Sequence, residues 1–473
     1  MDNLKVLMVA AEISPFAKAG GLADVTGSLP PALSALGVDV RLVMPKYGSI
    51  SEKKYALKRI HKDIDVPTGG KIIKIDIYQG ALPRTDIPVY FIDCPEYFGD
   101  KEIYLGEKDT QRFIFFSLSI LYILPIIEFK PDVVHAHDFH SALVANFINL
   151  SNFTYSKDAK TLYTIHNLNY QGQASPDVLK EGNLSASSLE SLATDAKDGD
   201  INFMVQGIFN CQALNTVSPT YAKEIMTKEQ GSGLHRVIKK NKHKLLGILN
   251  GLDISKFNPE TDPNICCNFS VESLDKKSEN KLALQRELGL PEDKDKPLLA
   301  IVSRLAWQKG FELINSELLE KLDFQLIVLG TGEEKYENHF KDLAEKFPEK
   351  VSAQIKFDLG LAQRIYAGSD FFLMPSRYEP CGLGQMIAMR YGSLPIVRYT
   401  GGLADTVNKK VGFSFKTFSQ KAFYLAVNRA LKTYYNKKKY QSMQARAMKV
   451  DFSWSRSAKK YLNIYRKLTK HKN

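Results

Sequence analysis

The sequence predicts an α/β protein built from two successive doubly wound halves, each a parallel sheet with helices on both faces. The chain of 473 residues is too long for one ordinary hydrophobic core, so two domains or more are expected. Apolar runs of strand length alternate with helical stretches in both halves, which is typical of strands buried in a parallel sheet. Glycine turns and polar side chains follow several of these strands, at the edge where doubly wound folds bind ligands.

Composition limits the class of protein. Hydrophobic residues make up 44% of the chain and charged residues 25%, which is typical of a soluble globular protein. The longest apolar run, FIFFSLSILYILPII, contains Pro125 and is shorter than the ~20 apolar residues of a membrane span, so it predicts a buried helix. The first residues, MDNLKVLMVAAE, lack the basic region of a signal peptide, and the five cysteines show no CxxC spacing. We therefore expect a reducing, cytoplasmic setting.

The formal net charge of +12 raises nucleic-acid binding as an alternative. The lysines, however, are spread along the chain and become denser toward the C-terminal helices, with no interleaved aromatic stacking motif. Anionic small ligands and solubility account for such a charge. We therefore expect neither a nucleic acid nor a membrane among the partners, and the sequence does not specify the oligomeric state.

The first βαβ unit begins with a strand over residues 5–11, which is followed by Glu12. Gly20 and Gly21 precede the next helical run. The turn therefore suits a phosphate, but it lacks the GxGxxG fingerprint, which disfavours a dinucleotide-binding dehydrogenase. Lys18 beside the glycines is either a cation for a phosphate or sugar oxygen or a solvated loop lysine.

The helix after this turn, LADVTGSLPPALSALG, is expected to break in its middle at Pro30 and Pro31. The strand VDVRLVMP follows. Residues 51–110 then alternate short β-rich runs with turns, which predicts an edge hairpin or meander. Within them, Asp63-Ile64-Asp65 matches a metal-binding DxD spacing, but it lies among lysines and such patterns are common by chance.

Histidines collect after the strand PDVVHAH. His135, His137, Asp138 and His140 lie at its end, and His166 ends the next predicted strand. An HxH pair at a strand end can begin a metal site, but apart from His166 the later strand ends offer no further ligands. The preferred interpretation is a polar cluster that hydrogen-bonds sugar hydroxyls.

The boundary between the halves is predicted from a change in composition. Residues 173–200 are polar and indicate short helices or a loop, and a later strand runs into Asn250-Gly251-Leu252-Asp253 before a polar, lysine-rich stretch. We therefore assign residues 1–253 to an N-terminal domain, 254–452 to a second domain and 453–473 to a C-terminal amphipathic helix.

The second half restarts with the strand LLAIVS, after which Arg304 and Lys309 lie five residues apart before a helix. This spacing suits a diphosphate clamp, and two solvated cations are the alternative. The next strand ends in a glycine turn that contains Gly330 and Gly332.

The most informative stretch covers residues 375–407. A first strand leads into a polar loop with Glu379, Cys381 and Gly382, which precedes a helix, and a second strand leads into Thr400-Gly401-Gly402 and another helix. Glycines before a helix leave free N–H groups for an anion. The stretch therefore predicts a cradle for a phosphate and a sugar, with one carboxylate.

Nine motifs follow one another along the chain: KAGGLAD from Lys18, HDF at 137–139, TIHNLNYQGQ, NTVSPTYAKEI, NGLD, SRLAWQKG, GTG, PSRYEPCGLGQ and TGGLADTV. Together they resemble those of bacterial glycogen synthases and starch synthases, which are retaining glycosyltransferases of the GT-B fold. The resemblance implies two Rossmann-like domains facing a central cleft. Residues 1–253 would form the acceptor side and 254–452 the nucleotide-sugar side, with the helix of 453–473 packing back on the first domain.

The resemblance also implies an activity. It is transfer of glucose from ADP-glucose, or alternatively from UDP-glucose, to the non-reducing end of an α-1,4-glucan with retention of anomeric configuration, without a cofactor or a metal. A different GT-B hexosyltransferase is one alternative. A non-catalytic glucan- or nucleotide-binding protein is another, and the presence of Glu379, Arg304 and Lys309 argues against it.

Each implied role attaches to residues of this sequence. Glu379 would hold glucose hydroxyls, and the main-chain carbonyl of His166 would face the anomeric carbon. The implied catalytic residues are Asp138, His166, Asn250, Arg304, Lys309 and Glu379. The donor would be bound by Lys18, Gly20, Gly21, Arg304, Lys309, Gly330, Gly332, Cys381, Gly382, Leu383, Thr400, Gly401 and Gly402. The acceptor side would be shaped by Glu12, Asp24 and His137.

Four positions depart from the pattern of the family. Ala19 stands where threonine is usual, Phe139 and Phe257 where tryptophan is usual, and Val205 where lysine is usual. Of these four differences, only the valine at 205 in place of lysine removes a positive charge. These departures bear on acceptor preference and rate more than on the type of reaction, and they leave open a different glucan or nucleotide.

Overall fold

The computed structural model describes residues 3–150 and 153–470, and the chain divides into two compact units. Unit 1 comprises the described residues of Met1–Val217, Ala222–Gly251 and Trp454–Asn473, and unit 2 comprises Ser218–Tyr221 and Leu252–Ser453. Each unit contains its own parallel or mostly parallel sheet.

Unit 1 is built on a mostly parallel sheet. Its strands are β1 (Lys5–Val9), β2 (Asp39–Pro45), β3 (Lys58–Thr68), β4 (Lys71–Ala81), β5 (Pro88–Asp93), β6 (Val133–His137), β7 (Lys160–Ile165), β8 (Gln173–Ala174), β9 (Ile201–Asn202), β10 (Ala213–Thr216) and β11 (Leu245–Gly247). The order is β11-β10-β7-β6-β1-β2-β5-β4-β3, and β8 pairs separately with β9. The sheet is parallel from β11 to β5, and β4 and β3 add the predicted antiparallel edge.

Helices connect these strands. They are α1 (Gly21–Ser34), α2 (Glu52–Tyr55), α3 (Pro95–Phe98), α4 (Asp109–Ile126), α5 (Val144–Leu150), α6 (Glu190–Asp195), α7 (Phe203–Asn210), α8 (Pro219–Glu224) and α9 (His235–Lys240). Turns of 3₁₀ helix lie at Gly106–Lys108, Phe139–Ser141, Pro176–Gly182, Ala186–Ser188, Ala196–Asp198 and Lys242–Lys244. Helix α4 is the buried helix predicted from the longest apolar run, since its Phe113, Phe115 and Phe116 are inaccessible to solvent.

Helix α1 does not break at its prolines, so that prediction is wrong. Pro30 and Pro31 lie inside the continuous helix. A proline inside a helix costs about 3 kcal/mol, because it removes a hydrogen bond and crowds the preceding turn. Each buried aliphatic side chain contributes roughly 1.5–3 kcal/mol in return. The helix buries Leu22, Ala23, Val25, Leu29 and Leu33. Packing therefore offsets the local cost.

Unit 2 is built on a parallel sheet. Its strands are β12 (Leu298–Val302), β13 (Gln325–Leu329), β14 (Val351–Gln354), β15 (Phe371–Met374), β16 (Leu394–Arg398) and β17 (Phe413–Phe415), in the order β14-β13-β12-β15-β16-β17. Its helices are α10 (Lys277–Glu287), α11 (Ser316–Lys321), α12 (Glu334–Lys346), α13 (Leu359–Gly368), α14 (Gly384–Arg390), α15 (Gly401–Thr406), α16 (Gln420–Tyr435) and α17 (Lys437–Met448). Turns of 3₁₀ helix lie at Val271–Lys276, Trp307–Lys309 and Phe311–Leu313.

A buried ion pair ties helix α10 to this sheet. Lys281 Nζ lies 2.7 Å from Asp370 Oδ2, and both side chains are almost inaccessible to solvent. The same carboxylate accepts hydrogen bonds from the Leu298 N–H at 2.9 Å and from the Tyr440 hydroxyl at 3.1 Å. Asp370 therefore holds together the beginnings of β12 and β15, the two strands whose other ends lead into the predicted donor loops.

Asp405 accounts for one difference from the predicted domain boundaries. Its carboxylate accepts hydrogen bonds from the Ser218 hydroxyl at 2.5 Å and from the Thr220 N–H and hydroxyl at 3.0 and 2.6 Å. The segment Ser218–Tyr221, which includes the first half of α8, groups with unit 2, although it lies inside the stretch predicted as the N-terminal domain.

The last helix, α18 (Trp454–Thr469), belongs to unit 1 and buries Tyr461 and Tyr465. A Cβ at Gly251 would lie 2.6 Å from atoms of Trp454, so the close approach of the two backbones requires glycine. The predicted class of two doubly wound α/β domains with a C-terminal helix returning to the first is confirmed. None of the helices in the described ranges is both long and apolar enough to cross a bilayer.

Candidate functional site

The buried side chain of Glu12 holds the glycine loop of unit 1 through hydrogen bonds. The residue follows β1 and is buried. Its Oε2 accepts hydrogen bonds from the N–H groups of Ala19 at 2.5 Å and Gly20 at 2.8 Å, and its Oε1 accepts one from the Tyr104 hydroxyl. The N–H of Gly20 is therefore directed at a protein carboxylate and is not free for a phosphate, contrary to what a glycine turn before a helix suggests.

Lys18 and Asp24 form an ion pair beside this loop. Lys18 Nζ lies 2.6 Å from Asp24 Oδ1, and both side chains remain partly accessible. Lys18 is thus not a solvated lysine without a partner. A ligand phosphate would compete with Asp24 for it. At Gly21, the first residue of α1, a side chain would meet open space.

Asp138 joins the ends of β6 and β7. Its backbone has a φ of +53°, which is uncommon and costly for a residue other than glycine. Its Oδ1 accepts hydrogen bonds from the N–H groups of His166 at 2.7 Å and Asn167 at 3.4 Å. Burial raises the pKa of Asp138 to about 7, even though these two N–H groups act in the opposite direction.

Three buried imidazoles lie at the same strand ends. The ring centroids of His135 and His137 are 4.0 Å apart, and His137 Nδ1 lies 3.0 Å from His166 Nε2. Burial lowers the pKa of all three, that of His166 to about 3, so they are neutral at pH 7. Across residues 3–150 and 153–470, no group of three or more His, Cys, Asp or Glu is arranged to hold a metal ion.

Asn250, after β11, contributes an unsatisfied acceptor. The residue is 8% exposed, and its Oδ1 is buried without a hydrogen-bond partner. Leaving a buried polar atom unpaired costs roughly 1–3 kcal/mol, so such atoms in native proteins call for an explanation. A ligand hydroxyl would satisfy this one.

In unit 2, Lys309, which is predicted to bind the diphosphate, forms an ion pair with Glu379, which is predicted to bind sugar hydroxyls. Lys309 Nζ donates to Glu379 Oε2 at 2.6 Å, and the Ser376 hydroxyl donates to the same oxygen at 3.0 Å. Both charged side chains are mostly buried, at 19% and 8% exposure. The N–H of Arg377 also donates to the carbonyl of Gln308 at 2.8 Å. These contacts fix the loop after β15 against the loop after β12.

The glycines at 330 and 332 also have a packing role. A Cβ at Gly330 would lie 1.9 Å from the carbonyl oxygen of Ser303, and one at Gly332 would lie 2.1 Å from that of Leu305. The Leu305 N–H donates to the carbonyl of Thr331 at 2.9 Å. Only glycine permits this approach of the two loops.

The first turn of α15 packs in the same way. Gly401 has a φ of +45°, and a Cβ there would lie 1.9 Å from the carbonyl oxygen of Glu379. The N–H of Gly402 donates to that carbonyl at 3.1 Å. The expectation of free glycine N–H groups is therefore wrong at Gly402, because the approach of two loops brings a protein acceptor to it.

The other predicted donor residues lie around these contacts. Arg304 follows β12 and is exposed, Cys381 is buried, and Gly382 has a φ of +73°. Leu383 directly precedes α14, and Thr400 is buried directly before α15. The fold thus brings all of them to the carboxyl ends of β12, β15 and β16.

Two residues outside the predicted set contact residues of the candidate site, and a third lies at the carboxyl edge of the sheet in unit 2. Tyr104 completes the hydrogen bonds of Glu12, and Ser376 completes those of Glu379. Phe357 follows β14 and is 78% exposed, which is unusual for so large an apolar side chain. In the sequence, Phe357 could have been recognised as an aromatic residue that lies between a strand and Asp358, which caps α13.

Comparison with known proteins identifies the family of this chain. The chain is 43% identical over 479 residues to a glycogen synthase of Thermosipho melanesiensis, and the match covers 98% of this chain and 99% of that protein. This chain belongs to the glycogen synthase family. It is a glycosyltransferase of glycogen or starch synthesis, as predicted. The family described as starch synthase catalytic domain matches residues 5–240, and glycosyl transferases group 1 matches residues 286–450.

Solved structures support the same assignment. The catalytic domain of starch synthase IV from Arabidopsis thaliana, bound to ADP and acarbose, is 35% identical, with a TM-score of 0.92 and coverage of 99% of this chain and 100% of that one. Sucrose-phosphate synthase from Thermosynechococcus elongatus is 17% identical, with a TM-score of 0.63 and coverage of 98% and 99%. The second likeness shows the shared fold alone.

The loop contacts lead to a prediction about two glycines. Gly401→Ala should lower the free energy of unfolding by at least about 2 kcal/mol, since the new Cβ meets a carbonyl and the backbone has a positive φ. Gly21→Ala is the matched control. It places a methyl group in open space at the first residue of a helix, so the free energy of unfolding should change by no more than about 0.5 kcal/mol. Urea unfolding of both variants is the measurement, and equal midpoints would contradict the assignment of Gly401.

Proposed function

We propose that this chain transfers glucose from ADP-glucose to the non-reducing end of an α-1,4-glucan with retention of anomeric configuration. The observation that carries the proposal is the 35% identical starch synthase structure, in which ADP and acarbose are bound. ADP supplies the leaving group of an ADP-sugar, and acarbose is an oligosaccharide analogue. UDP-glucose is the second candidate donor, because the proposed diphosphate and sugar contacts would be the same for both.

The diphosphate is proposed to bind Arg304 and Lys309, with Lys18 and the glycine turns beside it. A guanidinium and an ammonium suit phosphate oxygens. The ammonium of Lys309 already lies against Glu379, so donor binding adds an anion to a cation that is held in place. Charge that develops on the departing diphosphate would be stabilised without rearrangement of the site.

The glucose is proposed to bind unpaired acceptors. Glu379 Oε2 is engaged by Lys309 and Ser376, which leaves Oε1 for sugar hydroxyls, next to the backbone of Cys381–Leu383. Asn250 Oδ1 also lacks a donor. Because sugar hydroxyls are donors, a glucosyl group would satisfy atoms that the described chain leaves unsatisfied.

The chemical step is cleavage of the bond between the anomeric carbon and the diphosphate oxygen, with formation of a bond to an acceptor hydroxyl. The acceptor proton passes to the departing phosphate on the same face, which retains the configuration. The main-chain carbonyl of His166 and the carboxylate of Asp138 stabilise positive charge at the sugar ring. The rate enhancement is thus assigned to positioning and electrostatics.

The acceptor side is proposed to involve Glu12, Asp24 and His137. Burial restricts Glu12 to an indirect role, since its oxygens hold the glycine loop and Tyr104. Asp24 acts through its pair with Lys18 and His137 through His166. A reducing, cytoplasmic setting is part of the proposal and is supported by the five unpaired cysteines.

Phe357 is proposed to stack on the nucleobase. Its ring is exposed at the carboxyl end of β14, next to the strand that leads to Gly330, and stacking on an aromatic ring is worth about 1–3 kcal/mol per base. Stacking tolerates either base, so this contact alone does not choose between ADP and UDP.

The proposed reaction predicts incorporation of radiolabelled glucose into glycogen. ADP-glucose should be the better donor, and incorporation should be unchanged by EDTA, because no step uses a metal. Parallel reactions with UDP-glucose measure the donor preference. Preferential incorporation from UDP-glucose would replace the proposed donor, and no incorporation from either donor would contradict the proposed function.

The raised pKa of Asp138 predicts how activity depends on pH. The ionised carboxylate is the form that stabilises positive charge, so kcat should rise with pH through about 7, and Asp138→Asn should be slower and lack this rise. The contribution of Asp138 to the free energy of unfolding changes with pH in the opposite direction to kcat. The folded protein holds the proton of Asp138 more tightly than the unfolded chain does. The stabilisation that this proton provides is therefore complete below about pH 4 and is lost as pH rises through about 7. Measured kcat from about pH 6 to 8 tests this, and an equal rise in Asp138→Asn would count against it.

A further inference from the structure

The histidines of the candidate site are connected to the C-terminal helix. Tyr465 of α18 places its hydroxyl 2.8 Å from His135 Nδ1. His135 Nε2 lies 2.6 Å from the Thr164 hydroxyl, which donates to Asn215 Oδ1. All four residues are inaccessible to solvent. A buried polar chain therefore runs from the helix into β6, β7 and β10.

These contacts determine where His135 carries its proton. Thr164 has one hydroxyl hydrogen and gives it to Asn215, whose amide is oriented by donation from its Nδ2 to Tyr461 at 3.1 Å. Thr164 therefore accepts from an N–H at His135 Nε2. His135 is neutral because burial lowers its pKa. Its Nδ1 consequently accepts from the Tyr465 hydroxyl, and the ring is held at both nitrogens.

His135 in turn supports the pair formed by His137 and His166. Its ring faces that of His137, with 4.0 Å between centroids and 36° between planes. His137 Nε2 is buried without a partner, and a buried N–H without a partner is rarer than an unpaired lone pair. The proton of His137 therefore lies on Nδ1, which donates to His166 Nε2 at 3.0 Å. His166 then carries its own proton on Nδ1.

We propose that Tyr465 and His135 are positioning residues for glycosyl transfer. They hold His137, which keeps His166 in the tautomer with an Nδ1–H that donates to a sugar hydroxyl oxygen. The inference rests on the proposed function, in which His166 lines the glucose. It gives the C-terminal helix a part in the reaction in addition to its packing on the sheet.

Tyr465→Phe tests this role, because it removes one hydroxyl and keeps the ring. We expect kcat to fall about tenfold, since small displacements of a site group have effects of at least that size. The affinity for ADP should change less than about twofold, because His166 is not among the groups proposed to bind the diphosphate. Tyr440→Phe is the control, since it also removes a buried hydroxyl, one that donates to Asp370 in unit 2. It should keep wild-type kcat well below its unfolding temperature.

Equal kcat values for Tyr465→Phe and Tyr440→Phe would overturn the inference. Wild-type protein is assayed in parallel with radiolabelled ADP-glucose and UDP-glucose. If wild type transfers no glucose, the proposed function fails. If wild type is active and Tyr465→Phe is equally active, only the positioning role fails.

A second measurement does not depend on activity. Nitrogen-15 NMR of wild-type protein labelled in its nine histidine rings distinguishes Nδ1–H from Nε2–H tautomers. His135→Gln and His166→Gln assign the two signals. We expect Nε2–H for His135 and Nδ1–H for His166. The opposite tautomer at either residue would overturn the inference.

Discussion

The ion pair between Lys309 and Glu379 is the contact on which the candidate site of unit 2 depends. It joins the loop after β12 to the loop after β15 at 2.6 Å, and both side chains are mostly buried. A buried pair gains little net stability, since removing two charges from water is costly, so its value here lies in position. Ser376 adds a second hydrogen bond to the same oxygen of Glu379. One oxygen of the carboxylate is thereby fixed, and the other is the one proposed to accept hydrogen bonds from a sugar.

Unit 1 uses a glutamate in a related way. Glu12 holds the loop before α1 because its carboxylate accepts hydrogen bonds from Ala19 and Gly20, and the main-chain carbonyl of Glu379 holds Gly402 in the first turn of α15. In both places a protein acceptor pairs with a glycine N–H group, which is then not free to bind an anion. Asn250 Oδ1, by contrast, is a buried acceptor that is left unpaired. An unpaired acceptor suits a ligand with several hydroxyl groups better than a phosphate, because a fully ionised phosphate has no hydrogen to donate.

Much of this arrangement could be predicted from the sequence. Apolar runs of strand length followed by glycines are local signals, and they predicted the parallel strands and the loops at their carboxyl ends. The hydrogen bonds of those loops depend on contacts between distant residues, and no local pattern shows them. Lys309 and Glu379 were assigned to different parts of a ligand although they bind each other. Similarly, Pro30 and Pro31 predicted a helix break that burial of the surrounding side chains prevents.

The most direct test of the role assigned to Lys309 is a calorimetric comparison of ADP and AMP binding to wild type and to Lys309→Met. If Lys309 binds the diphosphate, its loss should reduce the preference for ADP over AMP by about tenfold, which corresponds to one charge-assisted hydrogen bond of about 1.4 kcal/mol. Lys321→Met, which breaks an exposed ion pair with Glu317, is the control and should leave the preference unchanged. An unaltered preference in Lys309→Met would contradict the account.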